Sequence, residues 1–285
     1  MRNSLKAAIL LTLLTLLVVF CGYALGGQGG MKIAFILACL MDMGLYGFSD
    51  RIVLAMHRAQ LLTPDEAPEV FAIVRELSKK AGIPAPRLYM LPSASANAFA
   101  TGRNSKHGAI AITHGIVGLL NKEELSGVLG HELAHILDRD VLLSSIVATL
   151  SGGLSMIVSM FHGSFAWGGE RDEHDKSHPL AWVLAAIVMP LAALLIHLTI
   201  ARSREYRADR RGAQLCGEPL YLASALRKID VTSKRLPLRD AVPATAHLFI
   251  ANPLSGKGWS AFFNTHPSVE DRIARLEVMD RSSTK

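Results

Sequence analysis

The sequence predicts a mainly α-helical integral membrane protein with a small β-sheet and about four transmembrane helices. Three observations predict it. Half of the 285 residues are hydrophobic and the mean hydropathy is +0.30, more apolar than a soluble domain usually is. Long apolar runs come in two pairs, residues 7–25 with 31–48 and residues 141–161 with 180–200. Between the pairs lie three short segments, 87–91, 97–102 and 109–113, with the form of strands.

The chain starts with Arg2 and Lys6 ahead of the first run. Charge followed by an apolar stretch is also the form of a signal peptide. This run is long, however, and a second one follows across Gly26-Gly27-Gln28-Gly29-Gly30. Residues 1–50 therefore read as a transmembrane hairpin. Asp42 sits in the second arm. A charge at bilayer depth costs about 2.5–3.5 kcal/mol, so it must face protein or water. Packing or hydrogen bonding explains it better than catalysis.

Thr63-Pro64-Asp65-Glu66 opens a soluble helix, with Thr63 as cap, that runs to about Ala81 and stops at Gly82. The strands follow, with the polar turn Arg103-Asn104-Ser105-Lys106 between the last two. A small sheet leaves an edge open, to which an extended peptide can add by backbone hydrogen bonds. A plain structural hairpin gives the same pattern. Asn121, with Glu124 three residues later, has the form of a capping box opening a further helix. Each run of the second pair has about 21 residues, roughly 31 Å of helix and enough to span a bilayer. Pro190 would kink the last run, which membrane helices tolerate. Residues 234–264 show no regular pattern and suit a flexible cover over a cleft; a helix over 268–279 closes the chain. The organisation expected is a membrane hairpin (1–50), a cytoplasmic region with the sheet (51–140), a second membrane hairpin (141–200) and a second cytoplasmic region (201–285).

The three cysteines, Cys21, Cys39 and Cys216, give no disulfide framework. A net charge of +6 suits nucleic acid in a soluble protein. Here the basic residues cluster beside apolar runs, as at a cytoplasmic membrane face, so a lipid bilayer is the expected partner and nucleic acid is not. There is no glycine-rich phosphate loop, no Cys-x-x-Cys pair and no internal repeat.

The candidate chemistry lies in His131-Glu132-Leu133-Ala134-His135. On a helix, residues i and i+4 share a face, so His131 and His135 can point at one metal ion. Glu132, one step round, can reach a metal-bound water instead. Two neutral nitrogen ligands and one carboxylate base are what metal-assisted peptide hydrolysis needs. The motif alone is also compatible with two ordinary polar histidines. The site needs a third ligand, and Glu205 and Asp209 follow the last apolar run at helical spacing. Glu205 is assigned to the metal and Asp209 to holding a ligand histidine in its tautomer. Two antiparallel spans joined by one loop place both half-sites on the same membrane side, at roughly 7.5–9 Å of helix from the runs. Flanking arginines, Arg51, Arg139, Arg204 and Arg207 among them, put that side in the cytoplasm by the positive-inside rule. The polar loop from His162 to His178, net acidic over Glu170 to Lys176, falls on the other side. His162, His174 and His178 in that loop read as solvated rather than metal-binding.

With these residues the chain resembles the HtpX-type membrane zinc metalloproteases, relatives of the CAAX prenyl endopeptidases. The matching pieces are Asn97-Ala98-Phe99-Ala100, His131-Glu132-x-x-His135 with Asp140, Ser203-Arg204-Glu205-Tyr206-x-Ala208-Asp209 and His266-Pro267-x-x-x-x-Arg272-Ile273. They cover nearly the whole chain in order. The resemblance implies a zincin-like domain with one zinc ion on His131, His135 and Glu205, and Glu132 as base. It implies endopeptidase action on membrane or misfolded proteins, as in quality control and stress response at a bacterial inner membrane. Asn97 would lie on the substrate edge, and His266 near the cleft, steadying the oxyanion; Asp140 and Asp209 would support the site. Arg272 reads as a structural ion-pair partner. One rival is an intramembrane protease, but the charged ends of the motif helix argue against it. The other is a non-catalytic zinc scaffold or chaperone, against which an open fourth position beside Glu132 argues.

Overall fold

The computed structural model describes residues 2–163, 202–236, 238, 243–253 and 267–283. It is mainly helical with one small mixed sheet. Helix α1 (Arg2–Met56) leaves helical geometry only at Gly26 and Gly27, where Gly27 takes φ +56°. The chain reverses there. The Thr15 hydroxyl donates to Asp42 Oδ2 at 2.6 Å, across 27 residues that a straight helix would spread over about 40 Å. Asp42 thus faces the other arm. Among the described residues, one helical segment, Ser4–Met56, is long and apolar enough to cross a membrane. Leu13, Leu16, Phe20 and Phe35 on its arms are exposed.

Four strands follow: β1 (Gln60–Leu61), β2 (Arg87–Leu91), β3 (Ala98–Gly102) and β4 (Gly108–Thr113). Their order is β1-β2-β4-β3, with β2 parallel to β4 and the other pairs antiparallel. The three longer strands stand where the alternating segments predicted them; two-residue β1 is too short to leave a pattern. Helix α2 (Pro68–Ala81) begins later than predicted. Glu66 accepts from the Thr63 N–H and hydroxyl at 2.8 and 2.7 Å, which closes a separate turn. Pro68 then keeps Ala67 out of the helical region, at φ −146°, so the helix can only start after it. Gly82 ends it at φ +68°.

After α3 (His114–Leu119) comes α4 (Lys122–Leu137), the centre of the fold. Its capping box forms as the sequence predicts: Asn121 Oδ1 accepts from Glu124 N–H at 2.8 Å, and Glu124 from Asn121 N–H at 3.1 Å. Buried Glu124 also accepts from Lys228 Nζ and Ser224 Oγ at 2.7 Å each, which fastens the cap to the helix behind it. Val128, Leu129, Leu133 and Ile136 are buried between Ile110 and Ile112 of the sheet and the C-terminal helices. Those helices are α6 (Arg202–Cys216), α7 (Pro219–Arg235) and α8 (Val269–Ser283). Helix α5 (Asp140–Gly163) packs against α1. It does not continue α4: Arg139, at φ +56°, breaks the chain between them. The second run of the second predicted hairpin, with His174 and His178, lies outside the described residues.

Candidate metal centre

The site forms where α4 crosses α6. The crossing is close because two glycines meet. A Cβ on Gly212 would lie 2.6 Å from the His131 nitrogen, and one on Gly130 would lie 2.8 Å from the Gly212 carbonyl oxygen. Backbone contact at this point brings Glu205, about two turns earlier on α6, to the histidines of α4. Gly212→Ala is expected to push the helices apart. The cost is about 1–3 kcal/mol of stability, as for overpacking, and metal affinity should fall about 10-fold or more as the ligands separate. A metal titration equal to wild type would sink this account of the crossing.

His131 Nε2 and His135 Nε2 lie 3.1 Å apart. Each is 3.8 Å from an oxygen of Glu205. Ligands about 2.0–2.2 Å from a tetrahedral ion stand about 3.4 Å from one another, so these spacings fit. Among the described residues these are the groups whose donor atoms converge within 4.8 Å. The other ring nitrogens are fixed from behind. His131 Nδ1 donates to Asp209 Oδ1 at 2.9 Å. His135 Nδ1 faces Asp140 Oδ2 at 3.5 Å. Each aspartate is clamped by an arginine. Arg272 donates to both oxygens of Asp209, at 2.9 and 2.6 Å, and Arg204 Nε reaches Asp140 Oδ2 at 3.1 Å. All four side chains are buried. Two parallel histidine–aspartate–arginine chains thus fix both Nδ1 protons and leave both Nε2 lone pairs for a cation.

Glu132 is 1% exposed and neither carboxylate oxygen has a hydrogen-bond partner. The Ala100 N–H beside it favours the ionised form only weakly. Burial, with Glu205 nearby, pushes its pKa up to about 7. A buried carboxylate with so little to hold its charge takes up a proton near neutral pH. Burial pulls His131 down to about 4, against the pull of Asp209. Burial also disfavours charge on His135, but Glu205, Asp140 and Glu132 outweigh it and raise the group to about 9. The concentrated negative charge that holds a proton on His135 equally attracts a divalent cation, which replaces that proton.

The cavity beside the ligands is about 30 Å³, room for a water-sized body. Ala100 and the segment His247–Ile250 line part of it. The β3 edge that the sequence leaves open is occupied by the chain itself. Phe99 bridges Phe249 in antiparallel fashion, and Ile250 N–H donates to the Ala98 carbonyl at 2.9 Å. Asn97 is fully buried; its amide donates to the Ala251 carbonyl at 2.9 Å and accepts from the Ala251 N–H at 3.3 Å. This strap starts as the 3-10 helix Pro243–Leu248 in the stretch without a regular pattern. His57 at the foot of α1 holds it through Thr245 at 2.9 Å, and Arg272 donates to the Ile250 carbonyl at 2.9 Å. His266 lies outside the described residues. The sequence marks Arg272 as an ion-pair partner and residues 234–264 as a cover over a cleft, but not that Asp209 is the partner of the one or that β3 holds the other. For the Arg204–Asp140 pair the local sign is an arginine directly before Glu205.

The family model for peptidase family M48 matches residues 64–280. A protease HtpX homolog of Syntrophobacter fumaroxidans is 48% identical over 282 residues, covering 98% of this chain and all of that one. One from Syntrophotalea carbinolica is 47% identical over 279 residues, covering 97% and 99%. In fold, the chain is similar to the crystal structure of S. mikatae Ste24p. The TM-score is 0.50 at 18% identity, over 96% of this chain and 65% of that one. The metalloprotease family implies a metal, and this chain has a place for one. The chain belongs to peptidase family M48.

Proposed function

We propose that the protein is a zinc-dependent endopeptidase, anchored by four membrane helices, whose site faces the cytoplasm of a bacterial inner membrane. Its substrates are membrane or misfolded proteins, and its role is quality control under stress. One observation carries the catalytic part: a buried, unpartnered Glu132 beside three converging ligands, His131, His135 and Glu205. The membrane part rests on the exposed apolar arms of α1 and, in the sequence, on the two apolar runs 141–161 and 180–200.

Zinc, when bound, supplies a Lewis acid that acidifies water toward a pKa of about 7 and polarises the scissile carbonyl. The chain supplies the rest. His131 and His135 present neutral nitrogens because Asp209 and Asp140 hold the opposite protons. Glu132 accepts the proton of the attacking water at a carboxylate oxygen and returns it to the leaving amine. The strap excludes bulk solvent. A peptide that adds to β3 takes the place of residues 249–251, and Asn97 then serves the substrate backbone as it serves Ala251. His266, a short step before Arg272 in sequence, is assigned to steadying the oxyanion.

Chelation should abolish casein cleavage by the detergent-purified protein, and one zinc per chain should restore it. Glu205→Gln should weaken zinc binding about 10–100-fold or more, the scale on which even supporting groups matter. Unchanged zinc content in that variant would take the third position away from Glu205. Asp209 is a poor replacement, because both its oxygens already serve Arg272. A cysteine placed at Asp175 should react with a membrane-impermeant reagent added to spheroplasts, and should be protected in sealed everted inner-membrane vesicles. Labelling in everted vesicles alone would reverse the orientation.

A further inference from the structure

We propose that the protein binds the head group of an anionic phospholipid in a basic pocket between the first arm of α1, the β3–β4 turn and the α4–α5 corner. The inference rests on the membrane reading above. The cavity there is about 500 Å³, and Arg103, Lys106 and Arg139 line it. No acidic side chain does, and none of the three cations is ion-paired among the described residues. Three like charges around one cavity repel each other unless an anion sits among them.

The backbone that carries them is ordered in advance. Asn104 Oδ1 accepts from the N–H groups of Lys106 and His107 at 3.0 and 3.1 Å, so the turn is closed by its own side chain. Gly102 enters that turn at φ +138°, which a side chain would strain. Arg139 holds φ +56°, the left-handed region that residues other than glycine seldom adopt. That conformation costs energy, and it ends the helix of His131 and His135 and starts the next at Asp140. A cation is thereby fixed at a corner that the metal centre shares.

The remaining walls say which anion. Ala8 and Leu11 of the first arm and Leu142 of α5 line the same cavity, and the apolar surface of the arm continues outward through exposed Leu5, Ile9 and Leu13. Half-exposed Tyr46 lies at the rim, as aromatic residues do at membrane interfaces. A phosphodiester fits between arginines that can grip it with two hydrogen bonds each. Its acyl chains would continue along the arm. A free phosphate gains nothing from that apolar wall, so the occupant is a lipid of the cytoplasmic leaflet.

The test uses the full chain in detergent, with bound lipid counted by native mass spectrometry. Phosphatidylglycerol should be retained at least about 10-fold better than phosphatidylcholine, and 0.5 M salt should erase the difference. The variant Arg103→Gln/Lys106→Gln/Arg139→Asn should fall to the phosphatidylcholine level. Asparagine is chosen because it tolerates the left-handed backbone. Its zinc content and casein cleavage should match wild type. Should that variant fail to fold, Lys106→Gln alone, on an exposed turn, should lose preference while Lys106→Arg keeps it. Equal retention of both lipids by wild type, retention unchanged in the variants, or full competition by glycerol phosphate would each overturn the proposal. Lipid retention does not depend on proteolysis, so loss of the protease reading alone would appear as lipid binding without cleavage.

Discussion

Glu132→Gln is expected to bind zinc as wild type does and to cleave about 10²–10⁴-fold more slowly, the usual contribution of a positioned proton acceptor. Glutamine keeps the volume of the side chain and cannot take a proton. The proposed ligand atoms belong to His131, His135 and Glu205, and the substitution touches none of them. The fold should gain slightly, because a buried ionisable carboxylate without a partner becomes a neutral amide. The pH profile adds a second reading. Burial holds Glu132 near 7, and a neighbouring cation favours its ionised form. The acid limb of kcat/KM for wild type should therefore lie below about 7, rising with pH as Glu132 loses its proton. Residual cleavage by the glutamine variant should lack that limb. Cleavage at the wild-type rate, in a preparation free of other proteases, would remove Glu132 from the reaction.

What could be read along the chain was what is local in the chain. Asn121 and Glu124 cap α4 through neighbouring groups, so their spacing announces the helix. His131 and His135 share a face for the same reason. Glu205 was reached by a different argument, the need for a third ligand on the same side of the bilayer. What the spacing missed depends on distant partners or on a single backbone angle. The turn Thr63–Glu66 and the start of α2 both look like caps; only the restriction imposed by Pro68 decides between them. The charged run Asp138-Arg139-Asp140 marks the end of α4, but with no glycine or proline there the left-handed angle at Arg139 leaves no sign of its own. The strap carries no period because β3, His57 and Arg272 hold it from three directions. Asn97 sits on the predicted edge strand, yet its partner there is Ala251, 154 residues away.

Arg272 reads in the sequence as an ion-pair partner, but its partner Asp209 and the energy at stake are visible only in the fold. It is 1% exposed and donates to both oxygens of Asp209, which is 3% exposed. Arg272→Met keeps much of the volume and leaves Asp209 buried without its cation. Breaking a buried pair in this way costs about 3–5 kcal/mol. Metal affinity should fall about 10–100-fold, because Asp209 then no longer holds His131 in one orientation. The sign of the pH dependence separates this from simple loss of packing. Burial alone would raise the Asp209 pKa, but Arg272 and His131 outweigh it and hold the group down at about 2. Its contribution to wild-type stability is thus complete above the ordinary value of 3.8 and is lost as pH falls toward 2. Without Arg272 the burial cost is exposed and the folded-state pKa rises. The variant is then penalised as pH rises through the new value, and its deficit against wild type should shrink on acidification from pH 8 to 5. A packing defect would leave that deficit flat. Adding Asp209→Asn to Arg272→Met removes the stranded charge and should recover part of the lost stability, measured by denaturant unfolding of the metal-free protein. A double variant no more stable than Arg272→Met would mean that the pair does not act through charge, and the arginine would return to being a packing residue.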